Sequence, residues 1–204
     1  MPLHAVNGQD VKYLKFMLPK YNKYTPYAGH PIIIHKDLLI KPCQWFKQSS
    51  DLYNHIRFND LKCRKYSKYP DHPEMVTAND YDGYNNTYNN LNIYNNDYSN
   101  NPAFEYVMSL SDANYEGYLP AAGELIVIWS NLQFIIACLN MFRDKNNQID
   151  KYFNQTKDTY FWTSTEFDNE RSNDLKMSKM VATVDKKTYE LPVFPIFKKK
   201  GDTI

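Results

Sequence analysis

YEGYLPAAGELIVIWSNLQFIIACLNMF, residues 115–142, is the longest apolar-periodic run in the chain. Leu125, Ile128, Trp129, Leu132, Ile135, Ile136 and Leu139 recur in it at spacings of three and four. That is the period of a helix with one broad buried face. Pro120 precedes the run, and Glu124 puts a carboxylate in the first turn, where the positive end of the helix dipole favours it. Arg143-Asp144-Lys145-Asn146-Asn147 is polar and turn-prone and closes the run. The pattern predicts one helix over Leu119 to Phe142, roughly 30 Å long. The rest of the chain offers too little helix to cover that face, so a β-sheet is expected to do so. Glu124, Ser130, Asn131, Gln133 and Asn140 interrupt the run, which argues for a buried amphipathic helix and against membrane insertion.

Toward the C-terminal side, Tyr160 to Phe167 (YFWTSTEF) is rich in aromatic and β-branched residues and reads as a strand. Asp168 to Asn173 reads as a charged turn and Asp174 to Met177 as a second strand. Met180 to Val184 and Thr188 to Lys198 read as a hairpin across Asp185-Lys186-Lys187. Pro192 and Pro195 assign the last strand to an edge or a bulge. Toward the N-terminal side, Pro102 to Leu110 (PAFEYVMSL) reads as a short helix with Pro in its first turn. Residues 79–101 hold ten asparagines among 23 residues and sustain no period, so they read as a long loop. Tyr81, Tyr84, Tyr88, Tyr94 and Tyr98, interleaved in that loop, are the candidate partner-contact residues, since tyrosine offers a flat apolar body with a polar tip. Pro31 to His35 is a good strand. Val11 to Leu18 is a candidate strand within residues 1–30, which otherwise read as an extended arm. Short strands, two helices and an antiparallel meander make an α+β fold, with residues 31–204 as the domain.

Composition narrows the function classes. Lys+Arg number 24 against Asp+Glu 23, so no nucleic-acid partner is expected. Cys43, Cys63 and Cys138 are odd in number and contain no CxxC pair, which argues against a disulfide framework or a zinc site. Met1-Pro2-Leu3-His4 does not open a signal peptide. The tyrosine and asparagine bias is equally what an AT-rich genome produces.

Several stretches taken together resemble one family. They are Asp80-Tyr81-Asp82-Gly83 with Asn86-Thr87, Pro102-Ala103-Phe104-Glu105-Tyr106, Gly117-Tyr118-Leu119-Pro120-Ala121-Ala122-Gly123-Glu124-Leu125, Phe161-Trp162-Thr163-Ser164-Thr165-Glu166 and Val193-Phe194-Pro195-Ile196-Phe197. Their succession resembles the C-type-lectin-like modules of the Fibrobacter/Legionella domain-of-unknown-function type, over about residues 76–198. Those modules read D-Y-x-G, a short helix, W-Y-L-P-S-x-x-E-L, a long helix, Y-W-S-S-T-E and a closing V-R-P-V. The resemblance implies two helices packed on a curled antiparallel sheet. It singles out Leu119, Pro120, Glu124, Leu125, Trp129, Trp162, Ser164, Thr165 and Glu166 as structural motif residues, with Trp162 packed against the long helix. Ala121 departs from the usual capping Ser, a loss on the order of 1 kcal/mol. Phe194 stands where the closing strand often has Arg.

No catalytic set is legible. His4, His30, His35, His55 and His72 are scattered, and none has a helical i,i+4 partner. Cys138 reads as core. Ser164 has no His-Asp companions in sequence context, and Glu124 and Glu166 read as structural carboxylates. Asp80, Asp82, Asn85 and Asp97 offer oxygens, but the stretch lacks the closing Glu of a calcium loop, so a turn at Asp82-Gly83 is the better reading. No metal and no cofactor are expected. The resemblance implies a non-enzymatic virion protein of a phage, in tail, fibre or capsid decoration, whose partners are other virion proteins or a host-surface receptor. The alternative is a bacterial surface adhesin-like module that binds a glycan or a protein.

Overall fold

The computed structural model describes residues 12–17, 31–47, 80–93, 99–141, 147–153, 158–167, 170–179 and 181–202. In chain order its elements are β1 (Tyr13–Phe16), β2 (Ile32–His35), β3 (Lys41–Gln44), α1 (Gly83–Ile93), α2 (Pro102–Ser109), β4 (Tyr115–Tyr118), α3 (Ala122–Ser130), α4 (Leu132–Met141), α5 (Asn147–Tyr152), β5 (Tyr160–Glu166), β6 (Arg171–Lys176), β7 (Val181–Lys186), β8 (Glu190–Val193) and β9 (Ile196–Lys199). Among the described residues all strand pairs are antiparallel, and they form three sheets ordered β1-β2-β9-β4, β3-β8 and β5-β6-β7. The fold class is therefore α+β, as the sequence predicts.

Two buried clusters hold the sheets together. The larger joins Leu14, Phe16, Ile32 and Ile34 of the first sheet to Leu125, Ile128, Leu132, Ile135 and Leu139 of α3 and α4, and to Phe161 and Leu175 of the third sheet. The second gathers Trp45, Phe46, Phe104, Val107, Leu119, Trp162 and Val193. Each tryptophan in it spends its indole N–H on the backbone. Trp45 Nε1 donates to Thr163 O at 2.8 Å, and Trp162 Nε1 donates to Cys43 O at 2.9 Å. Alternation along β5 thus sends Phe161 to the helices and Trp162 to the opposite cluster. The expectation that Trp162 packs on the long helix is corrected: Phe161 takes that place, and Trp162 joins the second cluster together with Leu119, ahead of α3.

The predicted rod over Leu119 to Phe142 is two helices, α3 and α4, bent by 69°. Asn131 between them leaves helical geometry (φ −114°, ψ 12°). The side chains of Ser130 and Asn131 donate to the carbonyls of Ile126 and Val127, both at 2.8 Å. Short polar side chains that bond the preceding turn compete with the helix ladder and bend it. The period of three and four survives the bend, which is why the sequence pattern does not register it. Among the described residues no single helix is long and apolar enough to cross a membrane, although the bent pair passes that test by length and composition.

Four further expectations change. Residues 79–101 contain α1 and are not one long loop. Thr87 Oγ1 bonds Gly83 O at 2.8 Å, and the rings of Tyr84 and Tyr88 pack at 4.6 Å one turn apart, so tertiary packing overrides the weak helix preference of asparagine. The predicted hairpin across Asp185-Lys186-Lys187 does not form. β7 pairs with β6, the chain crosses at Lys187–Tyr189, and β8 pairs with β3, where Pro192 faces Pro42. A two-stranded ribbon is where proline, lacking a ladder donor, is tolerated. Part of the predicted turn, Arg171–Asn173, is already strand. Within the stretch read as an arm, β1 is paired with β2 in full register, and its Leu14 and Phe16 are buried.

Candidate functional site at the junction of three sequence motifs

The stretches DYDG, LPAAGE and FWTSTE lie far apart in sequence and meet at the start of α3. Ala121 takes the N-cap position with extended backbone (φ −73°, ψ 164°) but has no side-chain oxygen to offer. Its place is filled from two other elements. Thr165 Oγ1 of β5 accepts from Ala122 N at 3.0 Å, and Asp80 O accepts from Gly123 N at 2.8 Å. Glu124 Oε2 accepts from Ala121 N at 2.8 Å, which is the carboxylate half of a capping box. The missing capping serine is thus compensated by a borrowed threonine.

Asp80 ties the same point together. Its Oδ2 accepts from Thr165 Oγ1 at 2.9 Å and from Asn86 Nδ2 at 2.8 Å, and Asn86 Nδ2 also reaches Ser164 Oγ at 3.2 Å. Ser164 N donates to Pro120 O at 2.8 Å. Thr87 Oγ1 accepts from Leu119 N at 3.1 Å. Glu124 is 3% exposed, and Tyr118 Oη donates to its Oε1 at 3.2 Å. Burial pushes the Glu124 carboxyl up to about 8; the bond from Ala121 opposes this, and the charges of Asp80 and Asp82 add to it. Leu119, Pro120, Glu124, Ser164, Thr165 and, in the adjoining helix, Leu125 therefore gather at one junction. Trp129 lies half-buried further along α3.

Glu166, at the end of β5, is held by a buried cation. Lys187 Nζ donates to Glu166 Oε1, both side chains are 2% exposed, and the ammonium lies 4.6 Å over the Trp45 ring. Phe194, where the resembling modules often have Arg, makes apolar contact, its ring 6.2 Å from Phe161 and 5.9 Å from Phe153. A lysine in a predicted turn reads as solvated, so nothing in the sequence marks Lys187 as this partner.

The candidate contact tyrosines divide. Tyr84 Oη donates to Glu116 Oε2 at 2.7 Å, its ring receives Lys198 Nζ at 4.1 Å, and Tyr88 Oη donates to Gly117 O at 3.0 Å. Burial, first of all, raises both phenols, as it does Tyr81. Tyr84 and Tyr88 thus spend their polar tips within the fold. Tyr94 and Tyr98 lie outside the described residues, as do His4, His30, His55, His72 and Cys63. His35 pairs its Nδ1 with Asp37 N at 3.1 Å, and burial lowers its pKa. Among the described residues no three His, Cys, Asp or Glu side chains are grouped to hold a metal. The junction is built of satisfied hydrogen bonds between segments, an arrangement that holds loops and strands in place.

No family model matches the chain, and no curated protein matches it. Among solved structures the fold is similar to a fimbrial protein from Bacteroides ovatus ATCC 8483, with a TM-score of 0.55 and 17% identity over 92% of this chain. The chain spans 42% of that protein's length. A likeness at this identity speaks for the fold.

Proposed function

We propose that this chain is a non-enzymatic assembly or binding module of a bacterial surface structure, of the fimbrial or adhesin-like kind. The observation that carries the reading is the likeness in fold to a fimbrial protein over 92% of the chain. The junction of the three motifs agrees with it, since its groups anchor segments to one another. In this reading the module is C-type-lectin-like, and its partners are other subunits of a filament or a receptor on a neighbouring surface.

A second reading, a structural protein of a phage particle, is favoured by the succession of DYDG, LPAAGEL and FWTSTE, which resembles modules of gut phages. One experiment separates the two. Antibody raised against the purified chain, viewed by immuno-electron microscopy on cells that carry the gene and on particles induced from them, is expected to label surface filaments. Label confined to phage particles would transfer the assignment to the second reading. Label in neither place, with the protein in the cytoplasm, would sink both.

A further inference from the structure

One face of the β5-β6-β7 sheet carries three carboxylic acids. The register sets Trp162, Asp174 and Thr183 in one row across the strands, and Glu166, Ser172 and Asp185 in the next. Glu166 is met by Lys187. Asp174 is fully buried; Thr183 Oγ1 donates to its Oδ1, while its Oδ2 has no hydrogen-bond partner among the described residues. A buried acid oxygen without a donor is costly when ionised and far less so when it carries a proton. Asp185 stands two residues beyond Thr183 on the same side of β7, half-buried.

The surrounding charges do not relieve this acid. On β6 itself, Lys176 shares the Asp174 side but is bonded to Asp158 at 2.7 Å, and Arg171 alternates to the other side, with its guanidinium 4.7 Å over Phe167. β5 contributes Trp162 and Glu166. α3 packs on the Leu175 side and has Glu124 as its one charged residue. β7 contributes Asp185, and its Lys186 is exposed.

We infer that Asp174 is a pH-operated latch: protonated, it bridges to the Asp185 carboxylate and holds β7 on the sheet, and deprotonated, it releases β7. Burial above all, with the Asp185 charge adding to it against the Thr183 bond, pushes the Asp174 carboxyl up to about 7. An acid raised in the folded state stabilises it fully below its unfolded pKa and loses that contribution as pH rises through the folded value. β7 is the strand that yields, because it carries Asp185 and, among the described residues, is paired on one side alone, by β6. The latch is independent of the function proposed above.

Hydrogen exchange of the β7 amides tests it, in the wild type and in Asp174→Asn, at about pH 5 and about pH 9 after correction for the chemical rate. Protection in wild-type β7 is expected to fall at least about tenfold more than in β4 between the two, and that excess is expected to vanish in Asp174→Asn, whose amide stays neutral. An equal excess in the variant, or none in the wild type, overturns the latch. Carbon-13 NMR of the aspartate carboxyls reads the same group without requiring the variant to fold. A midpoint near neutrality that moves down in Asp185→Asn is expected. An Asp174 midpoint in the ordinary carboxylate range, or one indifferent to Asp185→Asn, overturns it.

Discussion

Gly83 opens α1 against the start of α3, and there is no room beside it. A methyl group added there would sit 2.2 Å from Glu124 Oε2, 2.5 Å from Ala121 N and 2.8 Å from Leu119 O. Two of those neighbours are backbone atoms, so they cannot swing aside. Gly83→Ala is expected to lower unfolding free energy in urea by about 3 kcal/mol, at the top of the range for overpacking. Thr165 offers a finer test. Its hydroxyl accepts from Ala122 N and donates to Asp80, so Thr165→Val strands a buried donor and a buried acceptor at constant shape. A loss of about 2 kcal/mol is expected, recovered largely in Thr165→Ser, which keeps the oxygen. Equal losses in the two variants would show that the methyl group matters and the borrowed cap does not. The sequence marks Thr165 only as one residue of a motif. Its bond to a turn 43 residues away is a property of the assembled fold.

At the level of elements, what could be read in advance was what repeats along the chain. The apolar period in 125–139 picks out the buried side chains of α3 and α4, with Trp129 and Ile136 half-buried, and the aromatic run from Tyr160 to Glu166 is a strand. What could not be read depends on single polar side chains or distant partners. Ser130 and Asn131 divide the helix without disturbing its period. α1 forms in an asparagine-rich stretch because Tyr84 and Tyr88 find Glu116 and Gly117 to bond. β7 and β8 look like a hairpin because they are consecutive, yet the two are placed in different sheets by the crossing at Lys187–Tyr189. Lys187 pins that crossing to β5 through Glu166. Lys187→Ala is expected to cost about 3–5 kcal/mol, since it leaves a buried carboxylate without its cation. The pair Lys187→Met with Glu166→Gln is expected to recover most of that loss. Equilibrium unfolding of the single and double variants reads the difference, and additive losses would contradict a coupled pair.

For the whole molecule the buried carboxyls set the response to pH. Glu124 moves from 4.5 to about 8 on folding, held up by burial and then by the Asp80 and Asp82 charges. The raised value means that its contribution is complete below its unfolded pKa and declines as pH climbs through the folded one. The urea midpoint is therefore expected to fall between about pH 5 and about pH 8, and Glu124→Gln is expected to flatten much of that fall. An unchanged slope in the variant would place the titration elsewhere.

The order β1-β2-β9-β4 places the last of the described strands between two that precede it far back in the chain. Gly117 and Ile33 both reach the sheet through Phe197. Until the ribosome has released that segment, β1-β2 and β4 share no backbone ladder, and their apolar faces wait uncovered. Assembly of this sheet therefore waits for that segment and is slow, because so many partners are distant in sequence. A chain ended after Val193 is expected to remain bound to chaperones, and supplying residues 194–202 as a separate peptide should restore protease resistance.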